Sequence, residues 1–243
     1  MLAAAEMLKG GVTSVQDDAF FVPFPTTPVI DAVMQAYADS GMRARVALDQ
    51  SDLPEIGKLP FLADAVPEDM RKALAAAPEA DAAQLLECYA HLIARWHGAC
   101  DGRLQAAVSC SAPQRVSDPY LQALEALSQA HDLPFYVHIL ETRTQRVLGQ
   151  QQGCSLLQNI RRRGALSDRT NIIHAVWMDD HDLDSIAESG ASVAHNPISN
   201  LRLGSGVMPF RRLRERGIPI CLGSDEAIAD LSLIHISEPT RPY

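Results

Sequence analysis

The chain is poor in aromatic residues, which make up 5% of it, has only three lysines (Lys9, Lys58 and Lys72), and contains no long apolar run. A membrane-spanning helix needs roughly 18 consecutive apolar residues, so no membrane partner is predicted. The formal net charge is −9, which does not suit a nucleic-acid binder. Hydrophobic residues still make up 47% of the 243 residues, enough for the core of one (β/α)8 barrel.

Cysteine is also scarce: there are five, an odd number without the spacing of a disulfide framework. Cys110 and Cys221 lie in apolar runs, so we expect free, buried thiols. Such thiols are typical of a reducing compartment, and we therefore predict a cytoplasmic protein. A homo-oligomer is compatible with the sequence, which carries no signal for or against one.

Apolar, strand-like runs alternate with segments of helical periodicity, and glycine repeatedly marks the joint from helix to strand. This alternation predicts an α/β fold with a parallel sheet, an incomplete (β/α)8 barrel of about seven strands whose first strand is missing. The predicted strands are Val12–Asp17, Met42–Asp49, Arg103–Cys110, Pro134–Glu141, Asn171–Trp177, Ala191–Pro197 and Ile218–Asp225. The predicted helices include Val29–Ser40, Pro67–Ala77, Ala80–Ala99, Asp180–Ser189 and Val207–Arg216.

The C-terminal segment differs from the rest of the chain. The letters LSLIHISEPTR (Leu231–Arg241) read as the conceptual translation of a transposase sequencing adapter, and the periodicity stops there. We therefore expect residues 1–230 to form a barrel truncated at both ends, and residues 231–243 to be a non-native tail.

Four chemically apt residues follow or end the predicted strands: His138, Glu141, His174 and Asp225. The carboxyl ends of barrel strands form the active-site mouth, and two imidazoles with two carboxylates there suit a divalent metal. Each has a plainer alternative when taken alone. His138 and His174 fit hydrogen-bonded core histidines, and Glu141 and Asp225 fit helix caps. Glu141 can face the mouth only if the strand ends near Ile139, because strand positions three apart face opposite sides.

The ordered motifs HxxE, HAVW, HNPxSNxxLxSG and LGSDEA resemble the amidohydrolase superfamily, in its aminohydrolase branch of methylthioadenosine/S-adenosylhomocysteine deaminases and chlorohydrolases. The resemblance implies a hydrolase acting on non-peptide C–N bonds, most simply a deaminase of an aminated purine, pyrimidine, pterin or triazine. It implies His138 and Asp225 as metal ligands, Glu141 as proton shuttle, and His174 as the group that holds the attacking water, so that Glu141, His174 and Asp225 are catalytic. His195 would line the substrate pocket. Arg115, after a strand end, could equally meet an anionic substrate group or lie on the surface.

One family motif is absent, since the sequence contains no H-x-H pair. A catalytic zinc site usually has three protein ligands, so with two we expect negligible metal in this chain alone. The fourth strand ends without a lysine to bridge two ions, which favours one divalent metal, zinc or alternatively Fe²⁺. The resemblance implies an enzyme for the full-length protein, and we expect this fragment alone to be inactive. Two other functions stay open: hydrolytic dechlorination in the same site, and a non-catalytic barrel fragment.

Overall fold

Parallel strands and helices alternate along the chain, as the sequence predicts. The computed structural model describes residues 2–54, 56, 58, 61–76 and 80–225, and the predicted tail 231–243 lies outside these residues. The strands are β1 (Ser14–Phe20), β2 (Arg43–Asp49), β3 (Leu104–Ala106), β4 (Val108–Ser109), β5 (Phe135–Ile139), β6 (Thr170–His174), β7 (Ser192–His195) and β8 (Ile220–Leu222).

The helices lie between these strands. They are α1 (Leu2–Lys9), α2 (Thr27–Ser40), α3 (Leu62–Ala65), α4 (Glu68–Ala75), α5 (Ala82–Trp96), α6 (Ala99–Gly102), α7 (Asp118–His131), α8 (Arg143–Gln151), α9 (Leu156–Arg162), α10 (Asp180–Ser189), α11 (Pro197–Arg202) and α12 (Phe210–Glu215), with a 3-10 turn at Pro113–Arg115. Local signals set their ends: Ser117 caps α7 by accepting from the Tyr120 N–H, and Gly190 ends α10 at φ 76°.

All strand pairs are parallel, in the orders β1-β2-β3 and β4-β5-β6-β7-β8. The strands β3 and β4 are one run in two pieces. The Ala107 N–H donates to Val46 O at 2.8 Å and still pairs with β2, whereas the Val108 N–H donates to Pro134 O at 2.8 Å beside β5. Counting β3 and β4 as one run, the described part of the chain has seven parallel strands, and the predicted partial barrel is confirmed.

A small apolar layer inside the barrel lies directly below the strand ends. It contains Ala47, Ala107, Tyr136 and Ile173, from four successive strand runs, all at most 9% exposed. Side chains two residues apart on a strand face the same side. Asp49, Ser109 and His138 therefore follow Ala47, Ala107 and Tyr136 on the inner face and form the layer above.

The larger core lies between the sheet and the outer helices. Val46 and Leu48 of β2 belong to it, together with Ile30 and Met34 of α2. Such burial contributes about 25 cal/mol per Å² of apolar surface and holds the strand ends in place.

Three sequence predictions need correction. The first strand is β1 (Ser14–Phe20), two residues later at its start and three at its end than predicted. The helix expected at Val207–Arg216 is limited to Phe210–Glu215. Of the five free thiols, Cys88 and Cys110 are buried, but Cys221 is exposed and two others are half-buried. Among the described residues β8 pairs only with β7. Cys221 on this edge strand is therefore less covered than a residue on a central strand.

Candidate active site

His174, at the end of β6, is at the centre of the candidate site and is 1% exposed. Its Nδ1 lies 2.8 Å from Asn200 Oδ1, which accepts a hydrogen bond from it. Its Nε2 lies 3.9 Å from Glu141 Oε2 and 3.9 Å from Asp225 Oδ2. Burial lowers the pKa of His174, although the Glu141 carboxylate opposes this shift. The ring is therefore neutral near pH 7, with Nδ1 carrying the proton and the Nε2 lone pair facing two carboxyl groups.

His138, near the end of β5, lies next to His174, and the two ring centroids are 5.5 Å apart. Its Nδ1 donates to the carbonyl oxygen of Ser111 at 2.9 Å. That bond fixes the ring and leaves the lone pair of Nε2 available, the arrangement commonly found for histidines that bind metals.

Glu141 reaches the site because β5 ends at Ile139 and Leu140 adopts a left-handed backbone at φ 51°. The alternative in which Glu141 caps the next helix is wrong, since Thr142 caps α8 and accepts from the Gln145 N–H. The strand therefore ends where the sequence required it to end.

Asp225 follows β8 with φ 64°, and its side chain is 22% exposed. It accepts a hydrogen bond from the hydroxyl of Ser199, which lies on α11. Asn200, the next residue of the same helix, holds His174. The short helix after β7 therefore positions both an acid and an imidazole of the site.

The two residues predicted to meet the substrate lie farther out. His195 ends β7, its ring centroid is 6.3 Å from that of Phe210, and its Nδ1 is buried without a partner. Burial, and then the nearby His174, lower the pKa of His195. Arg115 lies on the turn after β4, where its exposed side chain donates to Ser111 Oγ at 3.2 Å. Arg115 is therefore connected to His138 through Ser111, whose carbonyl oxygen accepts from the His138 ring.

Two carboxylates that the sequence analysis did not select lie beside His138. Asp18 on β1 is 3.8 Å from His138 Nδ1 and accepts from Ser109 Oγ at 3.0 Å. Asp49 ends β2 and is 8% exposed. Burial, and then the charge of Asp49, raise the pKa of Asp18 well above its ordinary range. Asp49 follows an apolar run as Asp225 does, so the same rule would have found it.

The chemistry of these groups fits a divalent metal. Imidazole nitrogens and carboxylate oxygens are suitable ligands. Moreover, Asp18 Oδ1 and Asp49 Oδ1 are buried without a hydrogen-bond partner, and a buried carboxylate oxygen left unpaired is costly unless a cation or proton neutralises it.

A parallel α/β barrel with imidazoles and carboxylates at the carboxyl ends of its strands is the architecture of metal-dependent hydrolases. Comparison with known proteins makes the class specific. The model of the amidohydrolase family matches residues 1–239, and the chain belongs to this family.

Two of the relatives in sequence are deaminases. A 5'-deoxyadenosine deaminase of Methanothermobacter thermautotrophicus is 29% identical over 96% of this chain and 48% of its own length. A 5-methylthioadenosine/S-adenosylhomocysteine deaminase of Desulforudis audaxviator is 30% identical over 98% of this chain and 48% of its own length. The chain thus spans about half the length of the curated relatives it matches.

The solved structures agree on the fold. An adenosine deaminase from Xanthomonas campestris with bound zinc matches with a TM-score of 0.75 and 26% identity, covering 96% of this chain and 46% of its own. An atrazine chlorohydrolase from Arthrobacter aurescens complexed with zinc matches with a TM-score of 0.80 and 22% identity, covering 95% and 49%. Within the described residues, no helix is long and apolar enough to cross a membrane.

Proposed function

We propose that the protein contributes the active site of a metal-dependent hydrolase that deaminates an aminated heterocycle. The observation that carries this proposal is the convergence on His174, where Glu141 and Asp225 each approach Nε2 to 3.9 Å. The deaminase relatives support the reaction type, and the zinc in the neighbouring structures supports a divalent ion. Zinc is the metal we propose, with Fe²⁺ as the alternative.

His138 and Asp225 would hold the metal, as the family resemblance implies. A bound divalent ion lowers the pKa of a coordinated water toward about 7 and so supplies a nucleophile. The residues of the chain would orient the attacking water. His174 Nε2 would accept a hydrogen bond from it, because Asn200 keeps the proton on Nδ1. Asp225 would accept the proton that the water gives up.

Glu141 would move a proton to the substrate. In its protonated form it donates to the ring nitrogen next to the carbon under attack, so that negative charge does not build up there. Asp225 would then pass its proton to the amino group, and the proton of the added hydroxyl would restore Glu141, so that the C–N bond breaks, ammonia leaves and a lactam remains. His195 and Arg115 are proposed to contact the heterocycle and its substituents. We also propose a small-molecule substrate, a cytoplasmic location and no nucleic-acid or membrane partner.

The test is ammonia release from a panel of aminated purines, pyrimidines, pterins and triazines, measured with purified, zinc-supplemented protein. Glu141→Gln should lower turnover by a factor of about 10² or more, because the amide cannot act as the acid. Glu188→Gln, on the exposed surface of α10, is the matched control and should leave turnover unchanged. Chloride release from chlorinated triazines without ammonia release would instead favour dechlorination. Neither product from any compound would overturn the proposal for this chain and favour the non-catalytic barrel fragment.

A further inference from the structure

Asp18, Asp49 and His138 form a compact group of possible metal ligands of which the sequence analysis selected only His138. Each offers one ligand atom, and these atoms all lie within 4.8 Å of one another. The group comes from three strands, β1, β2 and β5, and it does not include Asp225. A search of the described residues for three or more histidine, cysteine or acidic side chains at this spacing gives this group.

Unpaired oxygen atoms inside the group are a second, independent observation. Asp49 is more than nine-tenths buried, and its Oδ1 has no hydrogen-bond partner. Asp18 Oδ1 is also buried and unpartnered, while Oδ2 is bound by Ser109 and lies near His138. Two acidic groups this close, each with a buried oxygen unpaired, are unfavourable in a folded interior unless a proton or a cation neutralises them. A cation between them would remove both costs.

We propose that Asp18, Asp49 and His138 bind one divalent metal ion at this position. Two carboxylates and one imidazole supply mostly oxygen ligands. Such a set suits Mn²⁺, whereas sulfur-rich or all-nitrogen sets select other ions. Ser109 and Ser111 fix the orientation of two of the ligands. The site shares the one free lone pair of His138, on Nε2, with the proposed hydrolase centre, so the two centres compete for a single ion. It differs from our expectation, based on two ligands, that this chain alone binds negligible metal.

Mn²⁺ binding to the purified chain tests the site. The protein is first stripped with a chelator and then titrated with MnCl₂, and free Mn²⁺ is measured by its electron paramagnetic resonance signal. The wild-type chain should bind one ion. Asp49→Asn and Asp18→Asn should each weaken binding by more than about tenfold, since loss of even an outer partner of a metal ligand costs 10–100-fold.

Asp17→Asn is the matched control. Asp17 precedes Asp18 on β1 and accepts a hydrogen bond from the Tyr37 hydroxyl at 2.7 Å, so this variant makes the same substitution on the same strand outside the proposed site. Its Mn²⁺ affinity should stay within about twofold of the wild type, below the loss expected for a ligand. Thermal unfolding gives a second readout, because Mn²⁺ should raise the melting temperature of the wild type and of Asp17→Asn but not of Asp49→Asn.

The outcomes separate this inference from the proposed function. Absence of Mn²⁺ binding by the wild type, or equal binding by Asp49→Asn and Asp17→Asn, overturns the inference. Binding that is lost in Asp225→Asn but kept in Asp49→Asn also overturns it and leaves the proposed hydrolase centre standing. Binding that depends on Asp49, in a protein that releases no ammonia from any heterocycle, supports the inference and overturns the proposed function alone.

Discussion

Tyr89→Phe should destabilise the protein strongly, although it removes only one oxygen atom from the core. The Tyr89 side chain is 0% exposed, and its hydroxyl lies between β2 and β4, where the sheet passes from one ladder to the next. The Leu48 N–H donates to it at 3.2 Å and the Ser109 N–H at 2.9 Å. The hydroxyl itself lies 2.9 Å from Leu48 O and 3.2 Å from Ser109 O.

The expected magnitude follows from this geometry. A tyrosine hydroxyl has one proton to donate and can accept two hydrogen bonds, so it satisfies both N–H groups and one carbonyl. Phenylalanine would leave two buried N–H groups without partners. Each unsatisfied buried group costs about 1–3 kcal/mol, and we expect a total loss of about 2–5 kcal/mol in the free energy of unfolding.

Urea unfolding followed by circular dichroism measures this loss. Tyr120→Phe is the matched control, because the Tyr120 hydroxyl is buried and has no hydrogen-bond partner, and its loss should be neutral or slightly stabilising. Equal unfolding free energies for the two variants would refute the assigned role of Tyr89. Tyr89→Phe should also weaken Mn²⁺ binding. Leu48 precedes Asp49 on β2, and Ser109 donates a hydrogen bond to Asp18, so loosening these strand ends disturbs two of the proposed ligands.

Three further predictions concern other parts of the fold. Arg146→Ala should cost about 3–5 kcal/mol in urea unfolding, because it leaves the buried carboxylate of Asp182 without its cation, whereas Arg161→Ala at an exposed pair should cost at most about 1 kcal/mol. Gly149→Ala would place a Cβ 2.8 Å from a backbone carbonyl oxygen, and this clash should outweigh the gain in helix propensity of about 1 kcal/mol and lower the melting temperature. The imidazole of His195 should titrate below 6.5 by NMR, because burial lowers its pKa. The unfolded state then binds the proton more tightly than the folded state. This contribution to stability is therefore complete above pH 6.5 and is lost as the pH falls. A midpoint at or above 6.5 would contradict that environment.

Much of the fold could be predicted from the sequence, because apolar runs followed by polar residues mark the strand ends directly. His174 and Asp225 were selected on this basis, and the structure brings both to one edge of the sheet. Asp18 was missed because the first strand was predicted to end at Asp17. A shift of one residue along a strand moves a side chain to the other face, so small errors in strand ends change which residues face the site.

Contacts that depend on tertiary geometry could not be predicted. The break between β3 and β4 arises because one run pairs first with β2 and then with β5, and the stagger depends on those neighbours rather than on its own residues. The role of Tyr89 has the same origin, because it is separated by 41 residues from Leu48 and by 20 from Ser109. No local pattern identifies such a hydroxyl.

The left-handed backbone at the strand ends has a consequence for how relatives of this chain are compared. Ser111, Leu140, His174, Ala175 and Asp225 all have positive φ, a conformation that costs residues other than glycine roughly 1 kcal/mol or more. Few amino acids tolerate such a backbone, and β-branched ones tolerate it least. Invariance at these positions across an alignment would thus arise from conformation as well as from chemistry. Only substitutions that keep the backbone and alter the functional group, such as Asp225→Asn, can tell the two causes apart.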